Sequence, residues 1–336
     1  MQRDEDAGKV LYVLGDVTGN AGPYATGVVE LDEHGVEALP HPALGESSTT
    51  PDKVVIATYN IRYGVGSFLI TGSLFRRAGL TRPGRRAALI ERHLKRAARA
   101  FSEGKLMPPA DIIALQEADR FTKRAGGRHV APELAMKLDM EWVHTSMNLP
   151  RDEEPKKKQW YLDFEEHIGR EEEGDTGVAL LSRWPVVAHK RVELPWAECA
   201  WRPRLAVYTA VQCGAVRLHV FNSHIDPHAD VAGQLAQHEA ILAEAEQIAH
   251  DAPVVLTGDF NTLTPVSRRR MRGLLEYHGY ATPMPSGTTT WRAGLVRLHT
   301  DWIFTRGVSV TRWGVARPLG VSDHWPVWAE LDLSGM

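Results

Sequence analysis

The stretch Pro253-Val254-Val255-Leu256-Thr257-Gly258-Asp259-Phe260-Asn261-Thr262 joins a short apolar run to two carbonyl-bearing polar side chains spaced two apart. On extended backbone Asp259 and Asn261 point to the same side. Such a pair can hold a water beside a phosphate oxygen. A buried strand ending in a turn gives the same letters, because Asp, Asn and Gly are favoured there. Recurrence separates the two readings. Apolar runs also stop at Asn60, Glu117 and His224, Ser322-Asp323-His324 precedes the last run, and Asp301 opens one after His299-Thr300. Each alone reads as a surface carboxylate, a structural histidine or a turn cap. Strand ends on one edge of a sheet converge, however, and ligands bind at that edge in open α/β sheets. Asn60, Glu117, His224, Asp259, Asn261, Asp301, Asp323 and His324 are therefore expected to share one site. Hard oxygen ligands with no thiolate pattern suit Mg²⁺ or Mn²⁺ better than structural zinc. A cation against phosphate charge, carboxylates for water and histidines for protons together describe phosphoester hydrolysis.

The elements that must position these residues are legible as hydrophobic periods. Strands are expected over Lys53–Tyr59, Asp111–Leu115, Glu141–Thr145, Gly177–Ser182, Leu205–Gln212, Val216–Asn222, Pro253–Thr257, Asp301–Thr305 and Val327–Leu333. Helical spacing marks Arg85–Glu103, with Ile90, Leu94, Ala97 and Phe101 on one face. It also marks Ala131–Leu138 and Gln234–His250. Many strands with a few helices argue for an α/β or α+β sandwich. Residues 1–50 read as an N-terminal extension with strand-like runs at Val10–Leu14 and Gly27–Leu31. A Pro/Ser/Thr-rich linker follows from Leu39 to Asp52, which puts the boundary of the main unit, 51–336, near Pro51. Mixed charge runs over 150–175 read as a solvated insertion without a chemical role.

Composition bounds the class. The 336 residues are 43% hydrophobic and 24% charged, as in a soluble globular protein with a sizeable core. Two cysteines, Cys199 and Cys213, make no disulfide framework. The acidic start Met-Gln-Arg-Asp-Glu-Asp does not resemble a signal peptide, and no stretch is long and apolar enough to span a bilayer, so a cytoplasmic protein is expected. Residues 1–50 hold nine acids against Arg3 and Lys9, which leaves −7 there and +4 on the remainder of a chain of net charge −3. An acidic leader on a mildly basic body suits an anionic substrate. Basic clusters between Arg76 and Arg99 and at Arg268-Arg269-Arg270-Met271-Arg272 read as helix surfaces or as grips for extra phosphates. Nucleic acid is one candidate substrate, and no protein partner is indicated. Asp226-Pro227-His228-Ala229-Asp230 reads as a charged loop, with a second cation as the alternative.

Six segments in order carry a resemblance. They are Thr58-Tyr59-Asn60-Ile61-Arg62, Leu115-Gln116-Glu117, Asn222-Ser223-His224-Ile225-Asp226, Gly258-Asp259-Phe260-Asn261, His299-Thr300-Asp301-Trp302-Ile303-Phe304 and Ser322-Asp323-His324. Over about residues 53–333 the chain resembles the endonuclease/exonuclease/phosphatase superfamily, which includes pancreatic deoxyribonuclease, exonuclease III, sphingomyelinases and inositol polyphosphate phosphatases. The resemblance implies a four-layer α/β sandwich, two packed mixed sheets flanked by helices, and a divalent metal, usually Mg²⁺. It implies Glu117 as the main metal ligand with Asn60 and Asp323 beside it, and Asp301 orienting His324. Asp259 would position or deprotonate water, Asn261 would hold a phosphate oxygen, and His224 would stabilise charge or protonate the leaving group. The base, Asp or His, stays open. Gly177–Pro185 and Arg202-Pro203-Arg204-Leu205 look like members acting on phosphodiesters or lipid headgroups, and no equivalent of the mid-chain tyrosine of the DNA-repair members is found. A phosphomonoesterase and a silent binding module are the alternatives.

Overall fold

The computed structural model describes residues 9–10, 29–32, 35–39, 49–66, 85–148, 168–195, 204–317 and 319–336. Its elements begin with β1 (Lys9–Val10), β2 (Val29–Leu31), β3 (Val36–Leu39), β4 (Lys53–Asn60), α1 (Arg85–Ser102), β5 (Ile112–Gln116), α2 (Val130–Leu138), β6 (Glu141–Ser146), β7 (Gly177–Ser182) and β8 (Val186–Glu193). They continue with β9 (Leu205–Cys213), β10 (Val216–His224), α3 (Val231–Ala249), β11 (Val254–Asp259) and α4 (Pro265–Tyr277). The chain ends with β12 (Trp291–Ala293), β13 (Val296–Leu298), β14 (Asp301–Arg306), β15 (Ser309–Val315) and β16 (Val327–Asp332). One sheet has the order β1-β2-β3-β6-β7-β5-β4-β16-β15, the second β14-β11-β10-β9-β8, and β12-β13 form a separate hairpin.

Alternation along the strands builds the layers. On β4, Val54 and Ile56 pack toward the second sheet, while Ala57 and Tyr59 pack toward α1, where Tyr59 meets Phe101 edge-on at 6.0 Å. On β5, Ile112 joins the inter-sheet core and Ile113 and Leu115 join the helix side. Helix α1 buries Ile90, Leu94, Ala97 and Phe101, the stripe its spacing dictates. Helices α3 and α4 cover the far face of the second sheet, with Ile241, Leu242, Met271 and Leu275 in the core. The result is the four-layer α/β sandwich. A fully buried Leu, Ile or Phe contributes about 1.5–3 kcal/mol, whereas an exposed ion pair contributes about 0–1 kcal/mol. Packing of the sheets therefore dominates the stability.

The sheets are pinned by a buried polar link as well. Asn222 Nδ2 donates to the Leu115 carbonyl at 2.9 Å and the Ala179 carbonyl at 2.8 Å, and Gln116 Nε2 donates to Asn222 Oδ1 at 2.6 Å. Such buried groups cost several kcal/mol when unpaired, so this link fixes how the sheets register.

Several elements differ from the expectation. Helix α4 was not anticipated: it buries only Ser267, Met271 and Leu275, a narrow stripe among arginines. Its visible signal was the cap, in which Thr264 accepts from Ser267 N with Pro265 in the first turn. Strands β8 and β15 and the β12–β13 hairpin were also missed, because edge and hairpin strands are half-exposed and carry weak apolar patterns. In the leader, β3 was not expected; it pairs with β6 and extends the large sheet. Residues 11–14, 40–48, 76, 77 and 82, Cys199, Arg202, Pro203 and residues 150–167 of the charged insertion lie outside the described residues.

Candidate active site

Strand direction explains why the site residues meet. Among the described strands only β4/β5 and β10/β11 pair in parallel. Asn60 is therefore level with Gln116, one before Glu117, and His224 is level with Asp259. Strand β14 runs antiparallel to β11, so its first residue, Asp301, lies opposite Asp259. Strand β16 runs antiparallel to β4 with Val327 opposite Thr58, which brings the preceding His324 to the same end. All eight expected residues are at this end of the sandwich. Seven of them, Asn60, Glu117, His224, Asp259, Asn261, Asp323 and His324, line a cleft of about 370 Å³. Asp301 sits beneath, bonded to His324.

Backbone strain is concentrated here. Glu117 and Asn261 hold φ of 49° and 48°, a region that non-glycine residues rarely enter. Gly258 holds φ 140°, and a Cβ there would stand 1.9 Å from the Ser223 carbonyl oxygen. Only glycine lets β11 approach β10 this closely.

Asn60 bridges two carboxylates: its Nδ2 donates to Glu117 Oε1 at 3.1 Å and Asp259 Oδ2 at 3.0 Å. Its Oδ1 accepts from Arg62 N at 3.0 Å, so metal ligation through Asn60 needs an oxygen that is engaged in this orientation. Asp259 Oδ1 accepts from Asn261 N at 3.0 Å, and Oδ2 lies 3.7 Å from His224 Nε2 and 3.6 Å from His324 Nε2. Burial pushes the Asp259 carboxyl up to about 7, against the opposing pull of the His324 charge. His324 Nδ1 lies 3.0 Å from both Asp301 oxygens. Burial disfavours its imidazolium, but the Asp301 charge, and then that of Asp259, outweigh it and lift His324 to about 10. Thr300 Oγ1 donates to Asp301 at 2.8 Å and Thr290 Oγ1 accepts from its N–H at 3.1 Å, which holds the carboxylate in place. Asn261 Nδ2 donates to the Ile225 carbonyl at 2.8 Å.

Two arginines were given no catalytic role by sequence. Arg62, buried, reaches Asp323 at 3.1 Å, and a buried pair of this kind loses about 3–5 kcal/mol when one partner is removed. Arg204, from the Arg-Pro-Arg-Leu segment, lies 3.3 Å from His224 Nδ1 and 4.0 Å from Asp226. The only signal for Arg62 was its place two residues past Asn60, because a buried arginine looks like any other in sequence. Of the loop at 226–230, Asp230 caps α3 by accepting from Gly233 N, and Asp226 Oδ1 accepts from His228 N. Pro227 and His228 of the same loop line the cleft. The arginines of α4 do not line the cleft: Arg268 donates to the Thr262 carbonyl and Arg272 to Glu276.

The cleft offers carboxylate and amide oxygens from Glu117, Asp323 and Asn60 and no thiolate. This donor set fits a hard divalent cation. The lining is also partly apolar, with Leu263, Trp291 and Leu298.

Comparison with solved structures finds the same fold. An endonuclease/exonuclease/phosphatase from Beutenbergia cavernae superposes with a TM-score of 0.57 at 18% identity, covering 85% of this chain and 72% of that one. A family protein from Leptotrichia buccalis gives 0.55 at 15% identity over 83% and 100% of the two chains. A mannosyl-6-phosphatase from Bacteroides thetaiotaomicron gives 0.51 at 17% identity over 83% and 99%. No curated protein matches in sequence. The sequence model of the Endonuclease/Exonuclease/phosphatase family matches residues 57–324, a span that holds every cleft residue named above, and the chain belongs to that family.

Proposed function

We propose that the chain is a divalent-metal-dependent phosphoesterase that hydrolyses a phosphodiester, of nuclease or phospholipase type, by attack of water on phosphorus. The observation that carries this reading is Asp259 Oδ2 set 3.7 and 3.6 Å from two imidazole Nε2 atoms, in a cleft shared with Glu117. Asp259 accepts the proton of the attacking water, since its second oxygen is fixed by Asn261 N and its carboxyl is raised toward neutrality by burial. His324 is held as an imidazolium by Asp301 and so donates through Nε2 to the phosphoryl oxygens. Asn261 Nδ2 carries two hydrogens and gives one to Ile225, leaving the other for a phosphate oxygen. His224, braced at Nδ1 by Arg204, stabilises charge on the leaving oxygen or protonates it. Glu117, with Asp323 and Asn60 beside it, would hold Mg²⁺ or Mn²⁺, which supplies Lewis-acid stabilisation of charge on phosphorus.

Leu263, Trp291 and Leu298 favour a diester, because they offer an apolar wall to a second organic substituent. The second reading, a phosphomonoesterase on a sugar or inositol phosphate, has the fold neighbour named mannosyl-6-phosphatase on its side. A silent binding module has no need of an Asp301–His324 pair aimed at Asp259. Hydrolysis of bis- and mono-p-nitrophenyl phosphate, with Mg²⁺ and with EDTA, decides among them. Turnover of the diester that stops with EDTA supports the first reading, turnover of the monoester alone supports the second, and turnover of neither with any divalent ion removes both.

A further inference from the structure

A second group of ligand-competent side chains is buried outside the cleft lining, where β3 pairs with β6 in the nine-stranded sheet. Glu37 of β3 lies opposite His144 of β6 in the strand register, and His129 occupies the N-cap position of α2. All three are buried. Each offers one ligand atom, and the three atoms lie within 4.8 Å of one another. Glu37 Oε2 is 3.9 Å from His129 Nε2 and 3.9 Å from His144 Nδ1. The imidazole rings stand nearly perpendicular, with centroids 4.8 Å apart.

Hydrogen bonding leaves this meeting point short of protons. His144 Nε2 lies 2.9 Å from the Ala118 carbonyl oxygen, which can only accept. Nε2 therefore carries the ring proton, and Nδ1 turns a lone pair inward. Neither His144 Nδ1 nor His129 Nε2 has a hydrogen-bond partner, and 3.9 Å to Glu37 is too long for one. Burial pushes His144 down to about 4 and His129 well below the usual range, with the Arg120 charge adding to both, so the rings are neutral. The same desolvation raises the Glu37 carboxyl, and Arg120, 2.7 Å from Oε1, opposes that rise. A protonated Glu37 can donate to one imidazole and a bridging water to two acceptors. None of the three groups makes such a bond at the distances found, and a neutral His129 in the tautomer that turns a lone pair inward joins His144 Nδ1 and the carboxylate as a third donor atom. A cation can take all three.

We propose that Glu37, His129 and His144 form a structural binding site for a divalent ion of the zinc class, which clips β3 to β6 and to the start of α2. Two neutral imidazoles and a carboxylate suit such an ion, in contrast to the all-oxygen donors of the cleft. Tetrahedral bonds of about 2.0–2.1 Å place neighbouring ligand atoms about 3.3 Å apart, so the two 3.9 Å separations from Glu37 must each close by about 0.6 Å when the ion is seated. Arg120 Nη1 lies 2.7 Å from Oε1 as an ion pair without hydrogen-bond geometry, while Oε2 is the oxygen nearer the two rings; water completes the coordination. The His144 bond to Ala118 ties the cluster to the turn that carries Glu117. The site is independent of the reaction proposed for the cleft.

The test is a Zn²⁺ titration of the full chain, stripped with EDTA, dialysed and held in excess Mg²⁺, followed by calorimetry and thermal melting. One tight equivalent and a Tm rise of about 4 °C, at about a hundredfold excess over Kd, are expected. Both are expected to persist in Glu117→Gln and to vanish in Glu37→Gln and His129→Gln. Co²⁺ in place of Zn²⁺ is expected to give visible ligand-field bands in wild type and in Glu117→Gln only. A wild-type chain with no Zn²⁺-dependent shift overturns the proposal without recourse to any variant. Binding that survives Glu37→Gln and disappears in Glu117→Gln also overturns it, because the ion would then reside in the cleft.

Discussion

Asp301 and His324 act on the cleft as one group. The carboxylate holds Nδ1 at 3.0 Å, so the ring orientation and the imidazolium charge both depend on it. Losses in kcat/KM should therefore be strongly non-additive, with Asp301→Asn/His324→Ala within a few-fold of His324→Ala alone. Fully multiplicative losses, measured on the same diester, would break the pairing. The pair also sets a pH limb. Burial works against the charged ring, but the Asp301 and Asp259 charges overcome it and raise the folded value to about 10. The imidazolium is thus fully present below its ordinary value and is lost as pH rises through about 10. Activity should fall on that alkaline limb. Asp301→Asn removes the larger of the two charges, so the limb should move down by at least about one pH unit, read from kcat/KM against pH. At this scale the sequence found which residues meet: Asp, Glu, Asn and His recur immediately after apolar runs, and seven of the eight line one cleft. Arg62 and Arg204 were not visible as site residues, because a buried arginine is defined by the partner it meets, here Asp323 and His224, far away in sequence.

At the scale of elements, the parallel pairs β4/β5 and β10/β11 carry the site by ending together, and Gly258 sets how closely the second pair approaches. Gly258→Ala places a Cβ against the Ser223 carbonyl at a φ that alanine avoids. It should destabilise the protein by about 2–4 kcal/mol, measured by urea unfolding. It should also lower kcat, because His224 and Asp259 would shift apart; a stable variant with unchanged kcat would show that the contact is not needed. The core strands were legible because both faces are buried and nearly every position is apolar, as in β5, whose five residues are all buried and whose only polar residue is Gln116. Strand β8 was not, because its exposed and buried positions follow no clean alternation. Helix α4 hid for a related reason: Met271 and Leu275 are a sparse apolar stripe, and the four arginines around them read as surface charge.

For the molecule as a whole, the described strands of the leader, β1 to β3, extend the large sheet. Val36 and Ala38 pack with Val143, Leu205 and Val207, and Glu37 reaches Arg120 at 2.7 Å. Deleting residues 1–50 should lower Tm by about 5 °C or more and reduce activity on every substrate. If the leader instead competed with an anionic substrate for the basic body, −7 against +4, the same deletion would leave Tm unchanged and lower KM for a polyanion at low salt, an effect that fades near a Debye length of about 8 Å. Glu117, half-buried at the cleft and bonded to Asn60 at 3.1 Å, is the residue proposed to hold the divalent cation used in hydrolysis. The most direct test of that role is Mg²⁺-dependent turnover of bis-p-nitrophenyl phosphate by Glu117→Gln, beside a melt in metal-free buffer. The account predicts a loss of about a thousandfold or more in kcat with a Tm within about 1–2 °C of wild type. Near wild-type turnover with an unaltered Mg²⁺ dependence would contradict it.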